Sequence, residues 1–407
     1  MKLPLTLRPM LAALDRHRTP VALIVLEIAL TFAVISNAIA LIAHRYAWLQ
    51  LDSGVPDRQL LYIRTDGVNK DAGPLYATML ARLRSLPGVQ SAAQINSVPF
   101  SPRTGTAGFY LDASQRHFGR VSDFYFGTPG YLRILGVRII AGRGFAASDY
   151  RPFDLLPASG GMLISQPLAA LLWPGQNPLG KTIWLGKRIH YQIIGVTAPV
   201  LRPHPQYEGL DNAYDSLFLP AAPSVGLGGN FVLRVAPARQ AEVLRAAEAA
   251  IHGVDRGLVI NRWASGSITQ LRAAYFKREK IMIGLLAGVV LALMLVTGLG
   301  IMGLSGFWVQ QRTRQIGVRR ALGARRVDIL RYFQTENFLI VSSGIALGML
   351  MAYALNVTLM KFYELPRLPL YYLPVGALVL WLLGQLAVLG PALRAAAVPP
   401  VVATRTA

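Results

Sequence analysis

The sequence has no cysteine, which excludes disulfide frameworks, thiolate metal sites and a cysteine nucleophile. The redox compartment stays open. Charge is also sparse: 15% of the 407 residues are Asp, Glu, Lys or Arg, against about a quarter in soluble domains. The shortage falls on the acids, with 20 Asp and Glu facing 41 Lys and Arg for a formal net charge of +21. Histidine offers no metal site, because His17, His44, His117, His190, His204 and His252 are scattered without ligand spacing. Neither G-x-S-x-G nor H-E-x-x-H occurs. No catalytic constellation emerges, and the chain reads as non-enzymatic, with no cofactor or metal of its own.

What is present in excess is apolar, 53% of the residues, gathered into four blocks long enough for the roughly 20 residues that a bilayer span needs. They are Val21–Ala43 (interrupted by Glu27, Ser36 and Asn37), Ile281–Val309, Phe338–Leu359 and Leu370–Leu393. The first is too long for a signal-peptide core, and His44, Arg45, Tyr46 and Trp48 stand where small cleavage-site residues belong. It reads as an uncleaved span. Basic residues in short flanks mark the cytoplasmic side. Lys2, Arg8, Arg16 and Arg18 precede the first span, and Arg312, Arg314, Arg319, Arg320, Arg325, Arg326 and Arg331 crowd the loop after the second. Both termini are therefore expected in the cytoplasm, with about Tyr46 to Lys277 outside. The basic excess reads as topology signal and lipid contact, not nucleic-acid binding.

The external segment alternates strand and helix. Leu60–Thr65, a helix Asp71–Ser85 with Asp71 as N-cap, and Val89–Val98 are matched later by Phe231–Val235, a helix Ala238–His252, and Leu258–Trp263. This order predicts two porter-like βαβ lobes, with about 99–229 as an inserted subdomain rich in Gly and Pro. Ser267–Lys280 lacks a breaker and predicts a helical stalk continuous with the second span.

Gly175-Gln176-Asn177-Pro178-Leu179-Gly180-Lys181-Thr182 fits the P-loop pattern. A phosphate-binding loop follows a strand and opens a helix. Here Gln166–Trp173 reads as helix and Ile183–Val196 as strands, so a turn feeding a hairpin is expected. Asp211 and Asp215, beside Tyr207 and Tyr214, read as a solvated acidic turn. Glu27 is expected to snorkel or to pair with Arg16 or Arg18, because a charge at mid-membrane is costly. Gly284 and Gly288, with Gly300, allow close helix approach in lipid, and suit a dimer seam as well as packing within the chain. Gly344 and Gly348 form a second such pair.

The cytoplasmic loop RTRQIGVRRALGAR, Arg312–Arg325, is a short amphipathic helix with basic flanks. It resembles the consensus of MacB/FtsX-type ABC permeases, in which a run ending Ile-Gly-x-Arg-(Arg/Lys)-Ala-Leu-Gly-Ala joins the second and third spans. Gly130–Phe145 (GYLRILGVRIIAGRGF), Asn177–Gly186 (NPLGKTIWLG) and Pro391–Arg405 (PALRAAAVPPVVATR) are similar to other stretches of the family, so the resemblance extends over nearly the whole chain. Gln315 departs from it, where Glu is common, and alters any docking contact made there.

The resemblance implies an α+β membrane protein of the bacterial inner membrane: four transmembrane helices and a large α/β periplasmic domain on a stalk. The divisions are 1–45, 46–277 and an FtsX-like 278–407. It implies an ATPase-docking element of Arg314, Ile316, Gly317, Arg319, Arg320, Ala321, Leu322, Gly323 and Ala324. The implied partners are an ABC ATPase in two copies holding ATP-Mg, a second permease chain, and a periplasmic adaptor with an outer-membrane channel. Two functions fit: an exporter of peptide, antibiotic, siderophore or lipid-linked cargo, or a mechanical regulator of a cell-wall hydrolase.

Overall fold

The computed structural model describes residues 18–66, 73–102, 105–151, 159–205, 209–363 and 369–397. The flank residues Lys2, Arg8 and Arg16, the proposed cap Asp71, and Tyr207 lie outside these. The chain divides into two compact units, Trp48–Arg278 and a helical unit of Met1–Ala47 with Glu279–Ala407.

The first unit begins after helix α1 (Arg18–Leu49) with strand β1 (Leu60–Asp66), helix α2 (Gly73–Arg84) and β2 (Val89–Gln94). After a long excursion come β10 (Gly229–Val235), α5 (Gln240–His252), β11 (Val259–Ile260) and β12 (Gly266–Ser267). The two βαβ halves do not make two lobes. They interleave into one sheet of order β11-β1-β10-β2, with β12 also on β1. The reason lies in the alternation of β1: Leu61 and Ile63 pack under α2 and α5 with Phe231 and Leu233, while Leu60 and Tyr62 face a second core. A strand buried on both faces needs neighbours on both edges, and β10 and β11 supply them. The expected strand Leu258–Trp263 shrinks to two residues, and Trp263 is 95% exposed.

Between β2 and β10 lies the insert, with β3 (Gly105–Tyr110), β4 (Phe118–Gly127), α3 (Tyr131–Ile134), β5 (Ile139–Gly142), β6 (Ser159–Ser165), α4 (Gln166–Leu172), β7 (Thr182–Trp184), β8 (His190–Thr197) and β9 (Ser216–Pro220). Its sheet order is β5-β8-β6-β9-β4-β3-β7, and β7 pairs back onto β8, so six strands close a ring. Phe109, Phe124, Met162, Ile164, Ile183, Ile193 and Leu217 fill it. The alternate residues Tyr125, Leu163 and Phe218 point the other way, into the core of Leu60 and Tyr62.

Helix α6 (Ile268–Tyr275) is capped by Ser267, whose hydroxyl accepts from the Gln270 amide while Gln270 returns the bond. The expected unbroken stalk is absent. α6 stops at Phe276, where the backbone leaves helical geometry, and α7 (Lys277–Gln311) begins anew. Phe276 is 1% exposed and meets Phe100 edge-on at 5.6 Å, so core packing of its ring competes with helix continuity.

The helical unit holds α1, α7, α8 (Thr313–Ala321), α9 (Arg326–Tyr363) and α10 (Tyr372–Ala397). All but α8 are long and apolar enough to cross a membrane. Their core joins Ile28, Phe32 and Ile35 of α1 to Ile301, Val341, Ile345 and Leu380. The most apolar stretch of α7 is only 6% buried, against 50% for α1, so α7 presents most of its surface outward.

Candidate docking site on the loop between two spans

The loop between α7 and α9 is a helix, a turn and a helix start, each fixed by local chemistry. α8 ends in a Schellman motif: the Ala324 amide donates to Arg319 O at 3.0 Å and the Gly323 amide to Arg320 O at 3.1 Å. The motif needs a left-handed residue, and Gly323 supplies it with φ +100°. Asp328 then accepts from the Arg325 amide at 2.9 Å, satisfying an open N–H at the start of α9.

The expected docking residues separate into two groups. Ile316 and Gly317 are buried, and Ile316 packs with Ile329, Phe333 and Val388 of the same chain. Ile316 therefore does not offer an outward contact, and Gly323 serves the turn. Val318 is 45% and Leu322 83% exposed, with Arg314, Arg319 and Ala321 exposed beside them and Arg320 and Ala324 half-buried. Arg319 lies over the Tyr332 ring at 5.0 Å. A small groove lined by Gln315, Arg319, Ile329, Tyr332 and Phe333 runs beneath. The loop thus shows an apolar tip on a basic, well-anchored helix.

One ion pair had no signal in the sequence. Arg312, at the joint of α7 and α8, places Nη1 2.9 Å from both carboxylate oxygens of Glu336. Their side chains are 14% and 2% exposed. The separation of 24 positions matches no local helix or strand contact, so only the fold reveals the pairing.

Glu27 has a polar partner on α7, and Arg16, one of its two expected partners, lies outside the described residues. The Glu27 carboxylate accepts from the Thr297 hydroxyl on α7, which in turn lies 2.9 Å from the Thr31 hydroxyl. A Cβ on Gly300 would come within 3.0 Å of Glu27. Gly300 thus belongs to a close contact of α7 with α1 inside the chain. A Cβ added at Gly284 or Gly288 would meet no other part of the described chain within 4 Å. Gly344 and Gly348 pack tightly against α1.

The P-loop match sits as a turn between α4 and β7, with left-handed backbone at Gly175 and Gly180. Lys181 bonds Gln176 Oε1 at 2.5 Å and lies 5.6 Å from the Trp173 ring. No helix N-terminus opens there. Asp211 is exposed as expected, but Asp215 is 1% exposed and pairs with Arg120 at 3.0 Å, so only the first acid of the turn is solvated. Nearby, Asp123 meets Arg202 at 3.2 Å, both side chains 1% exposed, and Thr106 donates to Asp123 at 2.6 Å. Burial, reinforced by Asp123, holds the Tyr125 hydroxyl well above its ordinary range. These pairs brace the insert rather than form an open site. Among the described residues no cluster of His, Asp or Glu could hold a metal.

Comparison with known proteins agrees with this layout. Residues 23–251 match the family model described as MacB-like periplasmic core domain, and residues 287–400 the one described as FtsX-like permease C-terminal. The chain is 29% identical over 241 residues to the Macrolide export ATP-binding/permease protein MacB of Shewanella sp. (strain W3-18-1), covering 56% of this chain and 34% of that protein. It is 25% identical over 334 residues to the Uncharacterized ABC transporter permease YknZ of Bacillus subtilis (strain 168), covering 79% and 78%. With the Pyoverdine export ATP-binding/permease protein PvdT of Pseudomonas aeruginosa it shares 26% identity over 359 residues, covering 85% and 50%. The chain thus spans a third to a half of the length of the relatives named as ATP-binding/permease proteins. It belongs to the MacB/FtsX-type ABC transporter permeases, inner-membrane proteins with a periplasmic domain.

Proposed function

We propose that this chain is the permease subunit of an exporter, driven by an ATPase that binds ATP-Mg in another polypeptide and docks on the α8 tip. The observation that carries this is Leu322: an 83% exposed leucine, held by a Schellman turn between two membrane-long helices. An exposed apolar side chain on a fixed, basic mount suits insertion into a groove of a soluble partner. The docking face is Arg314, Val318, Arg319, Arg320, Ala321 and Leu322, with Ile316 and Gly317 as its support. Both termini are placed in the cytoplasm, and the outer unit is the moving part.

Two ATPase copies and two permease chains make the complex, as a homodimer or with a homologue, the open face of α7 around Gly284 and Gly288 meeting its counterpart. The names of MacB and PvdT, for macrolide and pyoverdine export, support an antibiotic, siderophore, peptide or lipid-linked cargo, passed to an adaptor and outer-membrane channel. Leu322→Asp tests the docking: burial of an unpaired charge costs several kcal/mol, and co-purification of the ATPase should be lost while membrane insertion persists. Normal co-purification and coupling by this variant overturns the assignment. Capture of a peptidoglycan hydrolase on the tagged chain, with no adaptor or channel, favours mechanical regulation instead.

A further inference from the structure

We propose that Arg312 and Glu336 form a pin that carries motion of α8 into the spans on either side of it. The proposal rests on the docking reading above. Arg312 occupies the one residue between α7 and α8, where the backbone (φ −102°, ψ 8°) leaves helical geometry. A joint of one residue can bend. Its side chain opposes that bending in two directions. The guanidinium reaches both carboxylate oxygens of Glu336, within α9, at 2.9 Å, and it lies 5.9 Å from the ring of Trp308 on α7. Trp308 is itself 5% exposed. Three helices therefore meet at one side chain.

α8 has a second attachment, an apolar cluster it shares with α9, with Val388 of α10 and with Val309 at the end of α7. Ile316 packs against Ile329 and Phe333, and Arg319 covers Tyr332 at 5.0 Å. These contacts unite α8 with the first turns of α9 as one body. Among the side chains described here, Arg312 links that body to the end of α7 through a charge-assisted bond with fixed direction. Apolar packing slides, whereas a guanidinium held to both oxygens of one carboxylate fixes an angle. Stability alone gives little reason for the pair, because a buried ion pair is commonly replaceable by apolar residues of similar size without loss. This separates a pin from a mere brace: an apolar replacement restores packing and not direction.

The test uses the full chain with its ATPase in native membranes. Three variants are compared: Glu336→Gln, Arg312→Gln, and the double Arg312→Met/Glu336→Leu, which leaves no charge unpaired. Two quantities are read, the ATPase bound per permease and the stimulation of ATP hydrolysis by the permease. The expected result is retained binding with stimulation reduced about tenfold, to the same extent in all three, since either half of a pin is useless alone. The apolar double variant remains informative if a single variant fails to insert. Stimulation within about twofold of the parent in a folded double variant overturns the pin. So does a double loss equal to the product of the single losses, because the two residues would then act independently. Failure of the unaltered chain to bind an ATPase sinks the docking reading, a different outcome from either.

Discussion

Gly344 on α9 sits against Ile28 on α1 so closely that a Cβ there would lie 2.6 Å from the isoleucine Cγ2. A glycine pair at 344 and 348 thus makes a seam inside the chain, whereas the pair at 284 and 288 faces open space. Gly344→Leu should destabilise the bundle by about 1–3 kcal/mol through overpacking, seen as earlier thermal unfolding in detergent. Gly284→Leu should leave that midpoint unchanged and weaken association between permease chains, measured by crosslinking from introduced cysteines. Equal thermal effects of both substitutions would sink this division of the glycines.

Asp123 and Arg202 are the most deeply buried ion pair among those described. Asp123→Ala strands a guanidinium in the interior and should cost about 3–5 kcal/mol. Arg143→Ala, which removes a pair whose arginine is 56% exposed, should cost less than about 1 kcal/mol. Denaturant midpoints of the two variants provide the comparison.

Tyr76 is fully buried on α2, and its hydroxyl has no hydrogen-bond partner among the described residues. Burial pushes its pKa up to about 12. Below the unfolded tyrosine value of about 10 neither state ionises, and the group contributes no pH dependence. From there upward the unfolded chain loses its proton first, so stability falls with rising pH until the folded pKa is passed. Tyr76→Phe should remove on the order of 2 kcal/mol of this alkaline loss and leave neutral-pH stability equal or better. Parallel alkaline unfolding curves for the two proteins would contradict it.

Lys181→Ala should leave ATP hydrolysis by the complete system unaltered, since the lysine bonds Gln176 and covers Trp173 at the end of a helix. The purified chain should hydrolyse ATP at background rate before and after substitution. Nucleotide binding that disappears with Lys181→Ala would reverse this reading.

Legibility followed the range of the interactions. The membrane-long helices stand out because apolar length alone marks them, and α4 with its following hairpin because a Pro/Gly turn separates two clear periods. The interleaving of β1 with β10 was hidden, since 229 and 65 pair across the whole insert. The break at Phe276 was hidden for a related reason: its neighbours permit helix, and only the distant Phe100 competes for the ring. At the docking loop the family-like run was plain, yet which residues face outward depended on Ile329 and Phe333, whose packing takes Ile316 inward. Asp215 looked solvated because its partner Arg120 lies 95 positions away.

The closed ring of the insert leaves the parent sheet at β2 and returns at β10, which are neighbours, with Phe231 opposite Gln94. Its strands therefore obey two separate constraints, one residue out of step with each other. Positions such as Phe124, Ile164 and Leu217 answer only to the lumen they fill. Tyr125, Leu163 and Phe218 answer to the parent sheet. Evolution can rewrite the first set, and with it the ring's size and outer loops, without disturbing the seat on which the ring is mounted. A graft between relatives that preserves Tyr125, Leu163 and Phe218 has a matching seat ready for it, and one that preserves only the lumen does not.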